Sequence, residues 1–249
     1  MHRKPVALVT GANRGIGLQI ARDLVAKDLT VLIGARILES GKTAADSIGG
    51  DAQAIQLDVT DQTSIAAAAK YILDVFGRLD VLVNNAGIAR AEQRGGTIEK
   101  VVQSGLLSVA TLDELRSVFE TNVFGVIGVT QAMLPLLREA PAGRIVNMSS
   151  SMGSLTLNSD PSYAFRKLAG IYATSKTALN AVTLTFAIEL ESTNIKVNAV
   201  CPGFTATAIN DFTGTGTIED AAREPVRLAL LDADGPTGTF SNTDGPIKW

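Results

Sequence analysis

The chain has one cysteine, Cys201, and one histidine, His2, in 249 residues. A single thiol cannot close an internal disulfide or build a cysteine-based zinc site. A single imidazole beside the first residue argues against a Ser-His-Asp triad and a histidine-ligated metal centre, so chemistry without a metal is expected. Charged residues amount to only 19%, the net charge is -3, and no basic run interrupts the chain; nothing here calls for a nucleic-acid partner. No apolar stretch approaches a membrane span, and the chain opens straight into a strand-like run without a signal-peptide pattern. The expectation is a cytoplasmic protein with no membrane contact.

What is present is an alternation. Hydrophobic residues make up 46% of a 26.0 kDa chain, which suits one large α/β domain over residues 1–249. Apolar runs and helical periodicity place strands near 5–10, 29–34, 53–57, 79–84, 143–148, 195–200 and 238–240. Helices are expected near 15–27, 37–48, 62–76, 111–139, 171–192 and 217–232. Thr111-Leu112-Asp113-Glu114 has the capping-box pattern, which starts a helix at Thr111, and Pro135 is expected to kink that helix near its end. Strict alternation implies a doubly wound parallel sheet of about seven strands with helices on both faces, a Rossmann-type α/β arrangement. Ligands of such sheets gather at the carboxyl ends of the strands.

At the first such end stands a glycine turn. Pro5-Val6-Ala7-Leu8-Val9 runs into Thr10-Gly11-Ala12-Asn13-Arg14-Gly15-Ile16-Gly17, and Leu18 to Val25 continues with helical spacing. Strand, glycine turn and helix form the context of a dinucleotide fingerprint, here spaced G-x-x-x-G-x-G instead of the commoner G-x-G-x-x-G. Glycines let the backbone approach a pyrophosphate, whose charge the helix N-terminus stabilises. Gly11, Asn13, Arg14, Gly15, Ile16 and Gly17 are therefore candidate cofactor-binding residues.

Further along, Tyr-x-x-x-Lys occurs twice, as Tyr163–Lys167 and as Tyr172–Lys176. On a helix, residues four apart share a face. An ammonium beside a phenol favours the phenolate, which makes a usable acid–base group of a side chain whose ordinary pKa is about 10. The spacing alone does not distinguish this from an ordinary amphipathic face.

With glycine turn and tyrosine–lysine pair together, the chain resembles the short-chain dehydrogenase/reductase family over nearly its full length, and within it most resembles the NADPH-dependent carbonyl reductases. The other motifs stand in the family's order: Asp58-Val59, Asn84-Asn85-Ala86-Gly87, Asn122-Val123-Phe124-Gly125, Ser149-Ser150 and Pro202-Gly203. The resemblance implies Tyr172 as proton donor to a carbonyl oxygen and Lys176 as the group that lowers its pKa and holds the ribose. It also implies Ser150 as hydrogen-bond donor to the substrate oxygen, with a one-residue error toward Ser149 or Ser151 left open. Asn122 would act through its helix backbone on a water leading to Lys176. Asp58 would accept from adenine with a Val59 backbone contact beside it. Asn84, Asn85, Ala86 and Gly87 would line the cofactor, as would Pro202, Gly203 and Thr205, while Thr207 would meet the carboxamide.

Charge points to the cofactor. NAD sites place a carboxylate about 20 residues beyond the glycine turn, but the second strand here ends Ile33-Gly34-Ala35-Arg36. A guanidinium binds a 2′-phosphate bidentately, and Arg14 adds a second positive charge, so NADP(H) is expected. Choosing the pair depends on its surroundings. Tyr163 lies thirteen residues after Ser150, the family's usual interval, yet Leu168-Ala169-Gly170 reads as the end of a short helix. Tyr172 instead opens an uninterrupted helical pattern to Leu190. Insertions are tolerated in loops far better than in packed helices, which favours Tyr172 and makes 158–170 an inserted segment. The insert is shorter than that of the carbonyl reductases, so monomer and homo-oligomer both stay open.

A second long connection, Ile88–Ala110, is expected to hold a short helix near Ile98–Ser104. With Met152–Arg166 and Phe204–Gly216 it is read as the wall of an apolar substrate pocket containing Met152, Leu155, Phe165, Phe204 and Phe212. The leading function is hydride transfer between NADP(H) and an apolar ketone or aldehyde. The alternative is a non-enzymatic NADPH-binding regulator on the same fold, whose expected signature is loss of the tyrosine or lysine; both are retained. A dehydratase or epimerase on this scaffold is a third reading.

Overall fold

The computed structural model describes residues 4–91, 105–168 and 170–249. Five parallel strands follow the expected alternation closely: β1 Val6–Thr10, β2 Thr30–Ala35, β3 Ala52–Gln56, β4 Val81–Asn84 and β5 Arg144–Met148. β6 Lys196–Val200 and β7 Phe240–Asn242 extend the parallel sheet, and β8 Gly245–Pro246 closes it antiparallel to β7. The strand order is β3-β2-β1-β4-β5-β6-β7-β8, so the winding reverses between β1 and β4. That switch point is where an open sheet of this kind offers a crevice. The two-residue β8 has no apolar run of its own and is set by pairing with β7 alone.

Helices α1 Gly15–Val25, α2 Leu38–Ile48 and α3 Gln62–Phe76 lie where periodicity places them. Asp61 caps α3 by accepting from Thr63 N–H at 2.8 Å. The single helix expected over 111–139 is three pieces: α4 Leu112–Phe119, a π-turn Glu120–Phe124, and α5 Gly125–Arg138. Thr111 caps α4 by accepting from Glu114 N–H, but Glu114 does not complete the box. Its carboxylate accepts from the Ala91 N–H at 2.8 Å, tying α4 to the segment after β4. The chain continues through Pro135 to Arg138 without ending at the proline. After β5 come a 3₁₀ turn Ser151–Gly153, the short α6 Leu155–Ser159 and a 3₁₀ turn Arg166–Leu168. The long α7 Ile171–Glu189 and α8 Ile218–Ala229 complete the layers. The short helix expected near Ile98–Ser104 lies outside the described residues.

The strands bury both faces, which explains their continuous apolar runs. Leu8, Leu32, Leu82, Ile145 and Val197 face α3, α5 and α7, meeting Ile72, Met133, Leu137 and Phe186. Ala7, Val9, Ile33, Val83, Val146 and Val200 face α1, α2 and α8, meeting Ile20, Leu24 and Leu228. Leu82 is fully buried at the sheet's centre. Leu82→Ala removes its buried contacts and leaves a cavity, so a loss of about 2–5 kcal/mol is expected by denaturant unfolding; a loss under about 1 kcal/mol would mean that the centre can collapse around the smaller side chain.

Candidate active site

The carboxyl ends of β1 and β4 are stitched into one surface. Thr10 Oγ1 accepts from the N–H groups of Asn85 and Ala86, both at 3.0 Å. Asn85 Nδ2 donates to Thr10 O at 2.8 Å and Gly11 O at 3.2 Å. Gly11 turns at φ 63°, and a Cβ there would lie 3.0 Å from Ala86 Cα. At Gly17 a Cβ would fall 2.4 Å from Asn85 Nδ2, so the first turn of α1 packs directly on this junction only without a side chain. The N-cap of α1 is the extended Arg14, and no side chain caps the helix. Its first amides are therefore left for an anion, the arrangement that binds phosphate at helix N-termini.

Around this turn, Asn13 Nδ2 donates to Ser40 Oγ at 3.3 Å, drawing the start of α2 close. Arg14 and Arg36 are both exposed, and neither has an ion-pair partner among the described residues. Asp58 Oδ1 accepts from both the N–H and Oγ1 of Thr60, at 3.0 and 2.8 Å, and its other oxygen has no partner among the described residues. Val59 is buried, and its carbonyl would lie 2.8 Å from a Cβ at Gly125, so α5 packs directly on this segment. Pro202, Gly203 and Thr205 follow β6; Gly203 turns at φ 79° and Thr205 Oγ1 donates to Pro202 O at 3.0 Å. Thr207 faces the glycine turn, its Cγ2 being 4.0 Å from a Cβ built on Gly15, while Ile16 packs into the core behind. These elements leave a cradle of the size glycine alone permits, with two exposed guanidiniums at one side. Such a donor set fits the phosphates of a dinucleotide.

One expected lining residue is turned elsewhere. Asn84 Nδ2 donates to Thr130 Oγ1 at 3.2 Å and Asn147 Oδ1 at 2.8 Å, so its side chain belongs to an interior network and not to a cofactor surface. A strand residue and its successor face opposite sides, which gives the site-facing role to Asn85.

Only one of the two tyrosine–lysine pairs lies on a helix. Tyr163 precedes a turn and Lys167 sits exposed in the 3₁₀ turn, so their four-residue spacing does not put them on a common helical face. Tyr172 and Lys176 occupy the first turns of α7, with Lys176 Nζ 5.6 Å from the centre of the Tyr172 ring. Lys176 is 4% exposed and donates to Met148 O at 2.8 Å. Burial brings its ammonium down to about 8, an effect partly offset by the Cys201 thiol nearby. The Tyr172 phenol is pushed up, chiefly by burial and also by Cys201, while a hydrogen bond with Ser150 draws it back. The ammonium lies over the ring face and donates to the Met148 carbonyl.

The three serines after β5 have three partners. Ser149 Oγ donates to Asn180 Oδ1 at 2.5 Å and is buried. Ser150 Oγ accepts from the Met152 N–H at 3.2 Å and lies near enough to the Tyr172 hydroxyl to favour its ionisation, and Ser151 Oγ accepts from the Tyr163 hydroxyl at 2.8 Å. Of the three, the middle serine is the one beside the Tyr172 hydroxyl. Asn122, in the π-turn, uses its whole side chain: Oδ1 accepts from Ile88 N–H, and Nδ2 donates to Ile88 O and Ser175 Oγ. What it has left for the site is backbone, in a turn type that recurs at functional sites. Gly87 fills the gap beside it, where a Cβ would lie 3.3 Å from Asn122 Oδ1 and 3.5 Å from Lys176 Nζ.

Two supports escaped the sequence reading. Gly153 presses the serine turn onto α7, where a Cβ would lie 2.7 Å from the Lys176 backbone. Thr177 Oγ1 and Asn180 Nδ2 both donate to Gly153 O, at 2.9 and 3.2 Å. The available signal was the four-residue series Tyr172, Lys176, Asn180, one face of one helix. Of the expected pocket wall, Phe165 packs on Phe204 at 5.7 Å, whereas Leu155 and Phe212 are exposed. Arg90 meets Asp211 at 2.6 Å, joining the start of the long connection to the 204–216 loop.

The switch-point cradle and the tyrosine–lysine helix define an oxidoreductase fold of the dinucleotide-binding type. Residues 5–216 match the family described as short chain dehydrogenase, and the chain belongs to the short-chain dehydrogenase/reductase family. It is 32% identical to (-)-isopiperitenone reductase of Mentha piperita, with 96% of each chain covered. The structure of salutaridine reductase from Papaver somniferum superposes with a TM-score of 0.80 at 29% identity, over 96% of this chain and 100% of that one. A 3-ketoacyl-(acyl-carrier-protein) reductase from Brucella melitensis complexed with NADH gives 0.78 at 26% identity, over 96% and 95%. Among the described residues no helix is long and apolar enough to cross a membrane.

Proposed function

We propose that this protein is an NADP(H)-dependent reductase of ketones or aldehydes, reversible as an alcohol dehydrogenase, acting as one cytoplasmic domain. The observation that carries this reading is Tyr172 at the start of α7 with the buried Lys176 Nζ 5.6 Å from its ring centre, at the edge of the cradle. The cofactor, when bound, supplies the hydride. Gly11, Asn13, Gly15, Ile16 and Gly17 would hold its pyrophosphate, and Arg14 and Arg36 its 2′-phosphate. Asp58 and Val59 would meet the adenine end, and Asn85, Ala86 and Gly87 would line its course. Pro202, Gly203, Thr205 and Thr207 would border the nicotinamide end, with Lys176 near the ribose. The relatives' names, (-)-isopiperitenone reductase and salutaridine reductase, agree with a hydride-transferring reductase.

The residues' chemistry follows from their environment. Ser150 donates to the substrate oxygen and stabilises the negative charge that develops there. Tyr172, kept protonated by burial, gives its proton to the same oxygen. Lys176 supplies a positive charge that eases this loss, and Asn122 would connect Lys176 to solvent through its backbone. A panel of ketones, aldehydes and quinones followed by NADPH absorbance tests the reading; no turnover of any of them would overturn it.

The charge on Lys176 sets a pH dependence. Its ammonium persists below about 8 and is lost above it, while Tyr172 stays protonated throughout that range. Carbonyl reduction is therefore expected to slow as pH rises through about 8, read from kcat/KM across the pH range. A flat profile to pH 10 would show that the amine's charge is not needed.

A further inference from the structure

Beside the reactive hydroxyls stands a second phenol. The Tyr163 hydroxyl donates to Ser151 Oγ at 2.8 Å, and Ser151 directly follows Ser150. Ser151 rests on a fixed base. Its N–H donates to Cys201 Sγ at 3.1 Å, and its turn is clamped to α7 through Gly153 O by Thr177 and Asn180. The Tyr163 ring packs edge-on against Phe165 at 5.8 Å, and Phe165 against Phe204 at 5.7 Å. This aromatic ladder joins the inserted segment to the 204–216 loop, with the Tyr163 hydroxyl at its foot.

Packing alone does not account for the hydroxyl. Two hydroxyls bonded to each other once keep one hydrogen and further lone pairs unspent. The Ser151 O–H has no acceptor among the described residues, so the pair presents a donor and an acceptor side by side. Burial pushes the Tyr163 phenol up, with the Ser151 bond pulling back, so the group stays neutral and serves as a hydrogen-bonding partner, not a base. Half-buried polar groups of this kind bind a matching polar group more tightly than an apolar one, because the apolar one leaves them unpaired.

We propose that Tyr163 and Ser151 form a specificity subsite for a second oxygen on the substrate. The preferred substrates are then ring-bearing ketones with a hydroxyl or second carbonyl adjacent to the reacting one. The aromatic ladder takes the ring and the hydroxyl pair takes the second oxygen. This inference rests on the reading of Ser150 and Tyr172 as the reacting pair, which puts the subsite next in the chain to Ser150.

The test is a calorimetric titration of the protein saturated with oxidised nicotinamide cofactor. The ligands are acetophenone, 2-hydroxyacetophenone and 1-phenyl-1,2-propanedione. The two oxygenated ketones are expected to bind roughly tenfold more tightly than acetophenone, the scale of one net hydrogen bond. Tyr163→Phe and Ser151→Ala are each expected to shrink that preference to roughly threefold or less. Cofactor affinity, measured first on each variant, reports that it is folded. Equal binding of the three ketones by the wild-type protein, or a preference that survives both substitutions, overturns the proposal. Turnover of the same ketones separates the two readings. A preference lost in the variants without any reduction keeps the subsite and removes the reductase; reduction without preference does the reverse.

Discussion

Tyr172→Phe is expected to abolish turnover while leaving cofactor affinity within about twofold of wild type. The substitution removes one oxygen and leaves the ring beneath Lys176 Nζ, 5.6 Å from its centre, so the packing of α7 is retained. What is lost is the proton donor near Ser150. A positioned general acid is worth about 10²–10⁴-fold, enough to take a modest enzyme below detection. Tyr163→Phe is expected to keep kcat within several-fold and to raise KM, since its hydroxyl meets Ser151 and not the reacting pair. Steady-state kinetics of both variants, with cofactor titrations alongside, make the comparison. The reverse pattern would falsify the assignment of the second pair and move the chemistry to the inserted segment.

Arg36→Asp is expected to turn cofactor preference from NADP(H) toward NAD(H). Arg36 sits exposed immediately after β2 and has no acidic partner among the described residues, so its charge is open to a phosphate. Reversing it removes an attraction and adds a repulsion, together on the order of 2–4 kcal/mol at a partly exposed site. Arg14 remains, so some affinity for the phosphorylated cofactor should persist. Titrating both cofactors against both proteins decides the matter. Equal affinities of the wild-type protein for the two would remove the charge argument altogether.

The layered fold was legible because its signals are local. Val6 to Val9 read as a strand buried on both faces, and they are fully buried. The capping position Thr111 starts its helix, because a cap needs only the two or three residues that follow it. The glycine turn was legible for the same reason: Gly11 and Gly15 both adopt positive φ within one short segment.

Signals that depend on a distant partner were not available. Nothing near Glu114 announces that it will cap Ala91 instead of Thr111, and nothing near Gly245 announces β8. Asn84 and Asn85 look interchangeable in sequence, yet one joins an interior network and the other stitches two strand ends.

The sequence by itself determined the alternation of strands and helices, the glycine turn, the two basic residues near it and the presence of two tyrosine–lysine pairs. Periodicity, caps and turns are properties of a few adjacent residues, and they survive whatever the rest of the chain does. The tertiary structure alone decided which pair lies on a helix, and that of three adjacent serines the outer two bond Asn180 and Tyr163 and leave the middle one nearest Tyr172. It alone also decided the setting of the Tyr172–Lys176 pair, where burial pushes the phenol up and the ammonium down. These outcomes depend on which groups packing brings together and how much water it removes, and neither quantity is written in any short stretch of residues.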